Sequence, residues 1–226
     1  MNIIIAGGGM MGMTLAQNLV DKHTVTVVDP DEAQCKKIFR EIGAITIVGN
    51  ATNPKVLVDG HIKQADVAIG MMRNDSDNLT FCLLARRYGV KRVVVRMRDK
   101  NFYEAYTLAQ ADHIIYEIDK VITNFVSIIE HPLINSVIDT GYPALIMVVI
   151  TIRPEHWIAG KQIKEVSLRA DFPHDVRLVA LQDNHGVMLP AHGNAVILED
   201  RDIIISSSSE RIDDIVSYLT QSNHNA

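Results

Sequence analysis

Three glycines and one aspartate near the start of the chain have the types and spacing needed to hold a phosphorylated nucleotide. Gly7, Gly9 and Gly12 stand at G-x-G-x-x-G spacing directly after an apolar run at residues 3–6. Asp29 follows Gly9 by twenty residues, at the end of a second apolar run at residues 24–28. Gly7 permits the tight turn, Gly9 lets the backbone approach a pyrophosphate, and Gly12 lets the next helix pack closely on the sheet. Met10 and Met11 then open that helix, whose unpaired N–H groups and positive dipole end face the phosphates. The Asp29 carboxylate suits a ribose 2′ and 3′ hydroxyl pair and would repel a 2′-phosphate, so the expected ligand is an adenine nucleotide, NAD(H), ADP or ATP, rather than NADP. A glycine triplet alone also fits a flexible turn. The strand before it, the helix after it and the acid at that distance favour the nucleotide reading.

The elements that must position these residues follow from periodicity. Residues 32–42 read as a helix with Ile38, Phe39 and Ile42 on one face, and residues 44–48 as a third strand. Residues 67–69, 93–95 and 114–116 read as further strands, with a helix at 77–88 opened by the capping candidates Asp75 and Ser76. Helices between strands mean right-handed crossovers and a parallel, doubly wound α/β sheet of Rossmann-like type. Ligands bind at the carboxyl edge of such a sheet. There stand Asn50, Ala51 and Thr52 after the third strand, Met71, Met72 and Arg73 after the fourth, and Arg96 and Arg98 after the fifth. Asn50 and Thr52 suit either a nucleotide contact or a cap on the next helix. Arg96 suits either a phosphate or a salt bridge to a nearby acid.

Beyond the sixth strand, Val121, Ile122, Phe125, Val126, Ile128 and Ile129 form a broad apolar helix surface, followed after Pro132 by Leu133, Ile134, Val137 and Ile138. Self-burial and a partner subunit both answer that surface. The expected divisions are residues 1–118 for nucleotide binding, 119–141 for dimerisation helices and a hinge, with a break in pattern at 140–143, and 142–226 for a small α+β domain. In the last of these, residues 145–151, 176–181, 187–189, 195–198 and 203–206 read as strands, with a hairpin turn at 184–186. A final helix at 210–219 carries a capping-box pattern in Ser207 and Glu210.

Composition bounds the function. The 226 residues are 47% hydrophobic and 22% charged with a formal net charge of −5, which fits a globular protein and gives no electrostatic footprint for nucleic acid. Cys35 and Cys82 fall in helical stretches as ordinary buried thiols, the longest apolar run is far short of a membrane span, and a cytoplasmic location is expected. Catalysis would need a proton donor or acceptor and an anion-binding group beside the nucleotide. No C-x-x-C, nucleophile elbow or paired carboxylates offers it, and His156, His174, His185 and His192 read as solvated loop residues without metal-ligand spacing. No catalytic or metal residue is assigned, and the nucleotide reads as a signal rather than a reagent. A small NAD-dependent oxidoreductase rests on the same fingerprint and is the rival reading.

The order of Gly7-x-Gly9-x-x-Gly12, Asp29, Gly49-Asn50-Ala51-Thr52, Ala65-Asp66, Asp75-Ser76-Asp77-Asn78-Leu79 and Arg96 resembles the RCK (regulator of potassium conductance) N-lobe. Residues 158–163, 176–182 and 199–203 resemble the RCK C-lobe, also called the TrkA C-terminal domain. A single such copy is similar to the cytoplasmic subunit of a Trk or Ktr potassium uptake system. The resemblance implies a peripheral regulatory subunit that binds ATP, ADP or NAD(H), dimerises through the helices after the sixth strand, and assembles as a ring on a potassium-translocating membrane protein; control of some other transporter is a variant of the same reading. Met10 departs from Ktr-type members, which carry an arginine there, and Glu117-Ile118 stands where they carry Pro-Glu.

Overall fold

The computed structural model describes residues 1–139 and 145–222. It divides into two compact units, Met1–Ile118 and Asp119–Ala226. In the first, β1 (Asn2–Ala6), α1 (Met10–Leu19), β2 (Thr24–Asp29), α2 (Glu32–Ile42), β3 (Ile45–Val48), α3 (Pro54–Asp59), β4 (Val67–Gly70), α4 (Asp75–Arg87), β5 (Arg92–Met97), α5 (Tyr103–Leu108) and β6 (His113–Tyr116) alternate along the chain. The six strands form one parallel sheet in the order β3-β2-β1-β4-β5-β6. Strand order reverses at β1, so the chain leaves that strand toward β2 on one side and lies against β4 on the other, which opens a crevice at the carboxyl edge.

The sheet is buried on both faces because successive side chains alternate. Ile3 and Ile5 of β1 join Val25, Val27, Ile38 and Ala16 in one core. Ile4 and Ala6 join Leu57, Ala68, Phe81, Val93, Val95 and Tyr106 in the other. In α2 the buried positions are Cys35 and Ile38, whereas Phe39, expected on the packed face, is 61% exposed. One residue past Ile38, it lies roughly a quarter turn off the buried stripe.

The second unit contains most of α6 (Glu117–Glu130), then β7 (Ile134–Asp139), β8 (Ile146–Ile152), α7 (Ile163–Ser167), β9 (Arg177–Gln182), β10 (Met188–Pro190), β11 (Arg201–Ser207) and α8 (Ile212–Thr220). Its five strands pair antiparallel in the order β10-β9-β11-β8-β7. Val148, Ile150 and Ile152 of β8 and Ile203 and Ile205 of β11 alternate into a core shared with Trp157, Ile158, Phe172, Ile215 and Leu219. The hairpin turn expected at 184–186 is present: Asp183 accepts from the N–H groups of His185 and Val187, and Gly186 takes the positive φ of 79° that closes the turn.

Several expectations need correction here. Residues 134–139 form an edge strand rather than the second of two helices. Ile134, Val137 and Ile138 have helical spacing, but this segment completes a ladder with β8 through a register shift. Residues 195–198 do not make a strand; Val196 forms a single bridge with Gln162, and the backbone of Ile197, a residue of the core, bonds to Gly160 and Lys161. The Ser207 and Glu210 capping box does not form, because Ser207 is the last, buried residue of β11 and a 3-10 turn at Ser209–Arg211 precedes α8. His156 is 4% exposed, not solvated; its Nδ1 accepts from the Arg153 N–H, and burial pushes its pKa down. The expected break at 140–143 lies outside the described residues. In α6, Val121, Ile122, Phe125, Val126, Ile128 and Ile129 are 43–74% exposed, so self-burial does not answer that surface.

Candidate functional site

At the strand-order reversal lies a cavity of about 450 Å³. The turn after β1 and the start of α1 supply Gly7, Gly9, Met10, Met11 and Gly12. The end of β2 supplies Val28, Asp29 and Pro30, the loop after β3 supplies Asn50 and Ala51, and the loop after β4 supplies Met71, Met72 and Arg73. Asp77 of α4 and Arg96 of β5 complete the lining. Twelve of the fourteen positions singled out from sequence are therefore brought together. Thr52 and Arg98 do not line the cavity. The Thr52 hydroxyl and N–H both donate to Asn50 Oδ1, at 2.8 and 2.9 Å, and fix the Asn50 side chain. Arg98 lies beyond the end of β5, with its N–H on the Asp75 carboxylate and its guanidinium reaching the Arg73 carbonyl.

Each glycine of the turn has a distinct structural reason. A Cβ on Gly12 would stand 1.9 Å from the Gly7 carbonyl oxygen, and Gly7 itself has a φ of +102° with the Met71–Met72 backbone 3.0 Å from where its Cβ would be. A Cβ on Gly9 would meet nothing within 4 Å. The two outer glycines serve close packing, and the middle one leaves space where the cavity begins.

The two helices that start at this edge differ. α2 is capped by Asp31, whose carboxylate accepts from the N–H groups of Ala33 and Gln34, and Glu32 stands in its first turn. α1 begins at Gly9 with no side-chain cap and no acid in its first turn. The N–H donors and dipole of α1 are thus presented to the cavity, an arrangement that suits an anion.

Asp29 is held by two backbone donors, the Gly8 N–H on one carboxylate oxygen at 2.7 Å and the Asp31 N–H on the other at 2.9 Å. Each oxygen keeps a second lone pair for a hydroxyl donor. Gln34 of α2 reaches back to donate to the Gly8 carbonyl, locking the turn from its far side. The opposite wall is tied by Asn78, which is fully buried: its Oδ1 accepts from the Met72 N–H at 2.9 Å, and its amide donates to the carbonyls of Met72 and Arg96. Sequence reading expected Asp75 as a cap. Instead the helix starts one residue after Asn74, and the buried Asp75 carboxylate accepts from the N–H groups of Arg98 and Asp99 and from the Tyr106 hydroxyl. Burial and the neighbouring Asp75 push the Tyr106 pKa up, so the phenol stays a donor.

Val28, Pro30, Asp77, Gln34 and Asn78 were missed as parts of this architecture. Only Asp77 and Asn78 carried a signal, as polar residues in the first turn of a helix that starts at the ligand edge. Both thiols are buried, and burial pushes the Cys35 thiol up, with Asp29 adding to the shift, and pushes Cys82 to about 11, which disfavours the thiolate. Among the described residues no group of three His, Cys, Asp or Glu could hold a metal.

Residues 3–117 match the TrkA-N domain and residues 147–220 match the TrkA-C domain. The chain belongs to the TrkA family. A Trk system potassium uptake protein TrkA homolog of Methanothermobacter thermautotrophicus is 30% identical over 192 residues, covering 84% of this chain and 86% of the relative. A TrkA homolog of Pyrococcus abyssi is 25% identical over 228 residues, covering 95% and 96%. Among solved structures, the GsuK channel bound to NAD aligns over 98% of this chain with a TM-score of 0.67 and 17% identity, and this chain spans 40% of that one. GsuK bound to ADP aligns over 56% of this chain and 34% of its own, with a TM-score of 0.50 and 22% identity. At these identities the likeness to GsuK is one of fold. Among the described residues of this TrkA-family chain no helix is long and apolar enough to cross a membrane.

Proposed function

We propose that this chain is a nucleotide-sensing regulatory subunit of a potassium uptake system, acting at the inner face of the cell membrane through a potassium-translocating partner. The observation that carries the reading is the uncapped start of α1 opening, beside the space at Gly9, into a cavity that is also lined by the fixed Asp29. An adenosine ribose donates its 2′ and 3′ hydroxyls to Asp29, and the phosphates meet the α1 N–H groups with Arg73 and Arg96 near them. The NAD and ADP of the two GsuK structures support this class of ligand. NADP is disfavoured, because its 2′-phosphate would face the Asp29 carboxylate.

Regulation requires that the ligand prefer one arrangement of a larger assembly. The exposed face of α6 supports a dimer. Burying six of its large apolar side chains contributes on the order of 9–18 kcal/mol before association costs, and paired dimers can build a ring. Nucleotide identity then shifts the angle between paired first units and so acts on the membrane partner. Titration calorimetry should show ADP and NADH binding, with Asp29→Asn weakening it by about 1.5–3 kcal/mol, the cost of a charged acceptor. The chain should co-purify with a potassium-transporting membrane protein, and potassium uptake should depend on it. Robust NADH turnover with oxo-acids or aldehydes would overturn the regulatory reading in favour of an oxidoreductase, and NADPH binding as tight as NADH would overturn the role of Asp29.

A further inference from the structure

Four of the chain's nine methionines, Met10, Met11, Met71 and Met72, line the cavity at the strand-order reversal. Met10 is 84% exposed and Met11 39%, at the first two positions of α1. Met71 and Met72 are partly buried on the opposite wall, where their backbone packs against Gly7. An exposed thioether at a nucleotide cavity offers polarisable contact to an aromatic base, and it also offers the sulfur to oxidants. The cysteines do not compete for that role: both are buried, and both thiols are held away from the reactive thiolate.

We propose that Met10 and Met11 are an oxidation site through which peroxide weakens nucleotide binding. The inference rests on the nucleotide reading above. The sulfur lone pair attacks one peroxide oxygen, the O–O bond breaks, and a sulfur–oxygen bond forms. The departing hydroxide takes the proton from the sulfur-bound oxygen and leaves as water, so sulfur loses two electrons and peroxide gains them. The product is a polar, chiral sulfoxide with a strong acceptor oxygen. On the first turn of α1 that oxygen competes for the N–H groups a phosphate needs, and its negative partial charge opposes the phosphate. The lesion is reversible by methionine sulfoxide reductase, which makes it suited to a switch. A bound nucleotide covers the same sulfurs and so protects them.

The test uses the full chain, hydrogen peroxide and ADP. Peptide mass spectrometry should show Met10 gaining oxygen ahead of the buried Met97, with ADP slowing Met10 and Met11 while leaving the exposed Met1 and Met188 unaffected. After desalting, the oxidised chain should bind ADP about tenfold more weakly, a loss of about 1.4 kcal/mol, and the reductase should restore it. In Met10→Leu/Met11→Leu the ratio of affinities before and after peroxide should fall to about one, whatever the variant's own affinity. The oxidation site is overturned if oxidised and untreated chains bind ADP equally, if ADP does not protect Met10, or if the double variant loses affinity on oxidation as the unmodified chain does. An untreated chain that binds neither ADP nor NADH overturns the nucleotide reading and the oxidation site together.

Discussion

The two units handle their open surfaces in opposite ways. The first buries both faces of a parallel sheet and gathers polar groups at one edge, where the uncapped start of α1, two arginines and two acids surround a cavity. The second buries an antiparallel sheet's inner face among residues such as Trp157 and Ile215, and its open surface is the apolar face of α6. Uncapped N–H donors beside charged side chains suit a small polar ligand, whereas exposed aliphatic and aromatic groups suit another protein surface. On the proposed function, the difference gives sensing to the first unit and assembly to the second.

The largest expected effect tests the assembly half. Phe125→Asp/Ile129→Asp places two charges in the α6 face, and light scattering should show the oligomer dissociating; an unmodified chain that is a well-behaved monomer would sink the assignment. Next comes the glycine turn. Gly12→Val drives a side chain into the Gly7 carbonyl and should cost the first unit about 3 kcal/mol or more, seen as faster hydrogen exchange there with the second unit unchanged. Gly9→Ala should cost at most about 1 kcal/mol yet weaken ADP binding, since its methyl group is added at the cavity; equal effects of the two changes would erase the distinction between packing and ligand glycines.

Asn78→Ala leaves the Met72 N–H without its acceptor and should destabilise the first unit by about 1–3 kcal/mol, lowering ADP affinity by loosening the wall that carries Arg96. The smallest effect separates the units by pH. Burial lowers the folded pKa of His156, so the unfolded chain takes up its proton first as pH falls. Stability of the second unit should therefore decline as pH drops from about 6.5, the ordinary histidine value, toward the lowered one. His156→Gln should flatten that slope without touching the first unit; an unaltered slope would show that His156 is not its source.

Much of this was legible in the residues. The glycine spacing, the acid after β2 and the alternation of apolar strand and helix placed the cavity and most of its lining, because those signals are local: a tight turn, a backbone approach and a 3.6- or 2-residue period are written within a few residues. Short elements were not legible. α3, α5 and α7 have six, six and five residues, too few for a period to show. The spacing of Ile134, Val137 and Ile138 was consistent with a helix until pairing with β8 set it as a strand.

What the sequence by itself determined is the parallel nucleotide-type unit, its ligand edge and the presence of an apolar surface at α6. Tertiary structure alone decided that Asp75 faces inward to Arg98 and Tyr106 instead of capping a helix, that Asn78 ties the loop after β4 to β5, and that His156 is buried. It also decided that α1, unlike α2, starts without a side-chain cap beside the cavity. The physical reason is range. A polar side chain can serve several donors and acceptors equally well, and the partners of Asp75 lie 23 and 31 residues away, on segments that only packing brings within hydrogen-bond distance.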